Sequence, residues 1–130
     1  MSRLFLLMLT IIPVFAYSQK NEILLPSGLV IAPADENGIF TWEEAKKKCE
    51  SKGAGWALPT KEELTVMYEN KEVITNITSS WYWSLSQDES CHYNDFLPNS
   101  GYAWNMMFDN GILVSNLKTY KIKARCVKHK

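Results

Sequence analysis

The sequence predicts an α+β domain: two helices joined by a buried aromatic turn, covered by strands from elsewhere in the chain. Three observations carry this. Thr41 with Glu44, and Thr60 with Glu63, each spell T-x-x-E, the capping box in which a hydroxyl and a carboxylate satisfy backbone N–H groups of a first helical turn. Between the boxes, G-A-G-W-A-L-P at 53–59 releases the backbone through Gly53 and Gly55. It then sets Trp56, Leu58 and Pro59 as a stiff apolar anchor. From Trp81 onward the hydrophobic period becomes two, and Asp109-Asn110-Gly111 marks a hairpin, because Asn-Gly accepts positive φ.

Residues 1–18 read as a signal peptide. Arg3 supplies the basic start, 4–15 is apolar except for Thr10 and Pro13, and Ala16 and Ser18 stand where a signal peptidase reads small residues. The apolar run falls short of the ~20 residues a spanning helix needs, so no stable membrane span is expected. No Cys follows the cleavage point to take a lipid. These features imply a secreted or periplasmic protein of bacterial type. Residues 19–27 read as a short linker and 28–130 as one folded domain.

Cleavage after Ser18 leaves 112 of the 130 residues and removes a single charged residue, Arg3. The 14 basic and 14 acidic residues then become a formal charge of −1, which argues against a nucleic-acid partner. All five Trp belong to the mature part, fitting a compact domain whose core relies on large side chains.

The elements follow in order. Residues 29–32 form a short apolar strand, and 33–38 is rich in turn formers. A first helix starts at Trp42 and buries Trp42, Ala45 and Cys49 at i, i+3, i+7, with Lys46, Lys47 and Lys48 mostly on its wet side. A second helix, 61–70, buries Leu64, Met67 and Tyr68. Trp81, Trp83 and Leu85 alternate with Tyr82 and Ser84 in a strand. Residues 86–101 form a long polar loop, a length at which a structureless loop is usually functional or mobile. Strands at 102–108 and 112–114 flank the hairpin turn. A final strand at 120–127 points Ile122, Ala124 and Cys126 one way and Lys121, Lys123 and Arg125 the other.

Three cysteines, Cys49, Cys91 and Cys126, fit an oxidising compartment, and an odd count means one pair with a leftover or an intermolecular bond. A Cys49–Cys126 bond would tie the two ends of the domain. No zinc spacing is present, and His92 and His129 are the only histidines, so neither a metal nor another cofactor is expected.

Read together, S-G-L-V-I-A, T-W-E-E-A-K-K-K-C, G-W-A-L-P-T-K-E-E-L, W-Y-W-S-L-S, Y-A-W-N-M-M-F-D-N-G and A-R-C-V-K resemble the bacterial Lcl C-terminal domain family, a major paralogous domain with a C-type-lectin-like fold. The resemblance spans roughly residues 27–128. It is most specific at W-x-L-P-T-x-x-E-L and R-C-V. It implies that Cys49 pairs with Cys126, and that the helices flank a small, mostly antiparallel sheet closed by bringing the chain termini together. Ala57 and Ile31 depart from the family pattern, where Arg and Trp are usual; both positions look structural.

This fold hosts carbohydrate binders, adhesins, hypervariable receptors and formylglycine-generating enzymes. The enzyme class uses paired active-site cysteines in a much larger chain, whereas here two of three are expected in the core bond. Asp88 and Glu89 look like solvent-facing loop charge rather than an acid/base pair. A non-catalytic module is therefore expected. A lectin-type calcium site resembles E-P-N or Q-P-D with a later W-N-D. Here Leu97-Pro98-Asn99 and Trp104-Asn105-Met106 lack the carboxylates that would supply hard oxygen ligands.

Calcium-independent binding of a glycan or a cell-surface protein remains, and two surfaces are candidates. The first is the long-loop face with Gln87, Asp88, His92, Tyr93, Asn94, Asp95, Asn99 and Tyr102, whose amides and rings suit stacking and hydrogen bonding. The second is basic: from Lys118 to Lys130 there are six Lys or Arg and no acid, with Lys121, Lys123 and Arg125 expected on one strand face to hold an anionic glycan. The competing class is a structural or protein-interaction subunit of a cell-envelope assembly. There Cys91 would link chains, and the oligomeric state stays open.

Overall fold

The computed structural model describes residues 21–90 and 101–129. The expected signal segment and most of the long polar loop lie outside them.

Both capping boxes form. Helix α1, Trp42–Glu50, opens with Thr41 Oγ1 accepting from the Glu44 N–H at 3.3 Å and Glu44 Oε1 accepting from the Thr41 N–H at 2.9 Å. Helix α2, Lys61–Glu69, repeats this with Thr60 and Glu63 at 3.1 and 2.8 Å. Such a cap stabilises a helix end by ~1 kcal/mol. The apolar stripe of α1 is Trp42, Ala45 and Cys49, and that of α2 is Leu64 and Met67. Tyr68 stays half-buried, its ring under the Lys71 ammonium.

The strands make two antiparallel sheets. In the first, β1 (Ile23–Leu24), β2 (Val30–Ile31), β3 (Trp56–Ala57) and β7 (Val127–Lys128) take the order β1-β2-β7-β3, which joins the two ends of the described chain. In the second, β4 (Trp81–Gln87), β5 (Tyr102–Met107) and β6 (Ile112–Leu117) lie in chain order. The stretch expected as a linker carries β1. A turn closed by Leu25 N–H to Leu29 C=O and Gly28 N–H to Leu25 C=O folds it back onto β2, and Leu25 is buried.

Two apolar clusters fill the interior. One surrounds the disulfide with Trp42, Leu58, Trp83, Ala103 and Ala124; the other gathers Leu25, Leu64, Met67, Tyr82, Met106 and Phe108. Cys49 and Cys126 are bonded, with Cα atoms 5.4 Å apart, closing a separation of 77 residues. In the chain-entropy account this stabilises by about 4 to 5 kcal/mol. The alternation expected in β4 does not separate a wet face from a dry one: Tyr82 and Trp83 are both fully buried, one in each cluster. Two indoles tie β4 to α1 and to the residue ahead of its cap, Trp42 Nε1 donating to the Ser84 C=O and Trp83 Nε1 to the Phe40 C=O, each at 2.8 Å.

Glycine is required at two close approaches. Gly55 has φ +87°, and a Cβ there would sit 2.5 Å from the His129 carbonyl oxygen, where the strands pair. Gly111, at φ +78° in the β5–β6 turn, faces the Tyr68 ring, which a Cβ would meet at 2.6 Å.

Candidate ligand-binding surface

The expected final strand at 120–127 is ladder only at its end, Val127–Lys128. Before that, the chain makes single bridges: Ile122 to Phe40, antiparallel, and Lys123 to Tyr82, parallel. The segment threads between two parts of the fold, so strict alternation fails. Lys121 is exposed and Lys123 half-buried, but Arg125 is fully buried and cannot join a surface patch.

Arg125 instead anchors an internal polar network. Its Nε donates to the Ala32 C=O at 2.8 Å, its Nη2 to the Thr75 C=O at 2.8 Å, and its Nη1 to Asp35 Oδ1 at 3.0 Å. The other Asp35 oxygen accepts from the Tyr82 hydroxyl at 2.7 Å. Tyr82 accepts in turn from the Thr78 N–H at 3.0 Å and, its own proton being spent on Asp35, from the Thr78 hydroxyl at 2.8 Å. Thr78 Oγ1 accepts from Lys123 Nζ at 3.0 Å. Burial, with Asp35 adding to it, pushes the Tyr82 phenol up to about 12.

Lys121 and Lys123 still meet, on a groove of about 180 Å³ lined by Ile39, Ser80, Trp81, Lys121, Ile122 and Lys123. Trp81 is half-buried and Ile39 is 56% exposed. Across the Phe40–Ile122 bridge lies a second hollow of about 410 Å³, formed by Phe40, Glu44, Lys47, Lys48 and Ser51. Lys121 also lies close enough to Glu44 to add to the hydrogen bonds from Thr41 that hold that carboxyl below its usual range. Four lysines thus surround two apolar-floored depressions. Trp81, Lys47 and Lys48 were not singled out by sequence reasoning. Trp81 read as one face of a half-buried strand, and the α1 lysines read as solvated charge.

On the long-loop face, His92, Tyr93, Asn94, Asp95, Asn99 and Cys91 lie outside the described residues. Gln87, Asp88 and Tyr102 come together where β4 meets β5, the Asp88 N–H donating to the Tyr102 C=O at 3.0 Å. Their side chains have partners. Gln87 Oε1 accepts from Lys118 Nζ at 2.6 Å, and Asp88 Oδ1 accepts from the Ser90 N–H and hydroxyl at 3.1 and 2.6 Å. The Ser90 hydroxyl, with Ser115 nearby, holds the Asp88 carboxyl below the usual carboxylate range. Lys118 lies 4.3 Å from the Trp42 ring centroid, and burial lowers its ammonium pKa. Among the described residues no three His, Cys, Asp or Glu side chains converge as metal ligands.

No family model matches the chain, and no curated protein does. Solved structures do match. Botrocetin matches with a TM-score of 0.61 at 14% identity, over 85% of this chain and 97% of its own. EMS16, an antagonist of a collagen receptor integrin, matches at 0.57 and 12% identity, over 92% of this chain and 100% of its own. The EPNH mutant of CEL-I matches at 0.51 and 12% identity, over 82% and 93%. These are C-type-lectin-like folds. The domain therefore has that fold, with its two helices, its antiparallel sheets and a disulfide joining near-terminal regions. Among the described residues no helix is long and apolar enough to cross a membrane.

Proposed function

We propose that the domain is a secreted or periplasmic, non-catalytic ligand-binding module of the Lcl type that takes an anionic glycan on the groove at Trp81, Lys121 and Lys123. The observation that carries this is the pairing of a half-exposed indole with two ammonium groups over an apolar floor. An indole stacks on the apolar face of a sugar ring, while the lysines attract its sulfate or carboxylate. Lys47 and Lys48, across the Phe40–Ile122 bridge, extend the positive field to a longer chain. Arg125 plays no direct part, since it is fully buried and each of its three nitrogens donates to an internal partner.

Heparin is the probe. The chain from residue 19 to 130 is expected to stay on immobilised heparin beyond physiological salt, and Lys121→Gln/Lys123→Gln to elute earlier. Trp81→Ala should weaken retention without changing charge. Flow-through elution of the unaltered protein sinks the reading.

A cell-surface protein ligand is the second reading. Botrocetin is known in complex with the von Willebrand factor A1 domain and EMS16 antagonises an integrin, so proteins of this fold can take protein ligands. Here the end of β4 with Gln87, Asp88 and Tyr102 would serve, and the same column experiment sends the search there if heparin is not retained.

A further inference from the structure

We infer that two copies of this domain pair through the outer edge of β6, strand against strand in antiparallel register, as a two-fold dimer. The hydrogen-bond ladder identifies the open groups. Tyr102 C=O accepts from Asp88 and Phe108 N–H donates to Ser80, so even-numbered residues of β5 bond towards β4. Lys118 N–H donates to Gly101 C=O, so odd-numbered ones bond towards β6. In that register Ile112, Val114 and Asn116 bond inward, and Leu113, Ser115 and Leu117 turn their N–H and C=O outward. Of these outward groups only the Leu117 C=O is taken, by the Tyr120 N–H; among the described residues nothing bonds to the backbone of Leu113 or Ser115.

The opposite edge of the same sheet is closed. Trp83 N–H donates to Lys123 C=O, Lys123 N–H to Trp81 C=O, and Leu85 N–H to Pro59 C=O. Natural sheets blunt an open edge with charge, proline or a bulge. β6 reads I-L-V-S-N-L, with none of the first two, and it pairs with β5 without a register shift. Ile112, at its start, is 54% exposed.

Charge selects a second copy as the occupant. A two-fold axis at Ser115 sets Ser115 opposite itself and Leu113 opposite the partner's Leu117. All of these turn their backbone groups outward, so each pair can exchange hydrogen bonds, the Leu117 C=O using its second lone pair beside the bond from the Tyr120 N–H. The same axis brings the Asp109 end of one β6 towards the end of the other where Lys121 is exposed, opposite charges at both ends. A strand of six residues spans only ~20 Å, so the contact is small and the dimer concentration-dependent.

The test is sedimentation of residues 19–130 across a concentration series, with Cys91→Ser alongside, and amide hydrogen exchange at the two ends of the series. The expected result is a dimer that forms with rising concentration in both proteins, with slowed exchange at Leu113, Ser115 and Leu117 and unchanged exchange at Val114 and Asn116. Ser115→Pro, which removes an outward donor and no ladder bond, should shift the midpoint at least tenfold upward if its circular dichroism stays that of the parent. A monomer throughout overturns the inference. So does a dimer that needs Cys91, or one in which Leu113 and Ser115 exchange as fast as in the dilute sample.

Discussion

Lys121 and Arg125 stand four residues apart in one short segment, yet they belong to different kinds of chemistry. Arg125 is fully buried, its three nitrogens spent on Asp35 and two carbonyls. Lys121 is exposed on a groove beside Trp81. Lys123 is the joint between them, lining the groove while donating to Thr78 and lying 3.8 Å from Asp35. Charge sign alone does not say whether a basic side chain recognises a ligand or holds a fold. What decides it is whether polar partners have already consumed its donors.

The largest break in this contrast is Arg125→Met. It leaves the Asp35 carboxylate without its nearest cation and the Ala32 and Thr75 carbonyls without donors, and should cost about 3–5 kcal/mol in urea unfolding. Heparin retention of the folded fraction should be unchanged.

Tyr82→Phe comes next, at about 1–2 kcal/mol, because Asp35 loses a donor and the Thr78 N–H an acceptor. It also carries a pH signature. The unfolded phenol ionises near 10.0 while the folded one holds its proton to about 12, so the folded state binds more protons in between. Its contribution is complete below pH ~10 and is lost as pH rises through ~12. Unfolding followed over that range should show stability falling, with a shallower slope in Tyr82→Phe.

Lys123→Gln sharpens the comparison at the joint: a change in stability within about 0.5 kcal/mol, since its ion pair is partly exposed, and weaker heparin retention. Lys121→Gln should be the smallest structural change, neutral in unfolding, while still shortening retention. A Lys121→Gln protein that unfolds early, or an Arg125→Met protein that is native-like but not retained, would reverse the assignment of the two regions.

Much of the scaffold was readable in the chain because it is local. Thr41 with Glu44, and Thr60 with Glu63, lie within one turn, and each pair caps its helix. Trp42, Ala45 and Cys49 share a face by helical geometry, and all three are buried. Asn110-Gly111 closes the β5–β6 hairpin, with Gly111 at φ +78°. The candidate surface was readable only in part. Lys121 and Lys123 were found as a basic pair, but Arg125 was placed beside them by an alternation that needs a continuous strand, and the chain there makes bridges instead. Asp35, which holds Arg125, is 90 residues upstream in a turn that looked like ordinary loop.

By itself the sequence determined the helix starts, the cysteines available for bonding, the hairpin and the supply of positive charge. These depend on spacings of a few residues or on composition. Only the tertiary structure decided which cation is buried, that Trp81 lines a groove, that Ile23–Leu24 is a strand, and that β4 is closed on its outer edge while, among the described residues, nothing bonds to the outward backbone groups of Leu113 and Ser115 in β6. Each of those depends on a partner far away in the chain. A hydrogen bond or a buried face exists only when both of its halves have been brought together.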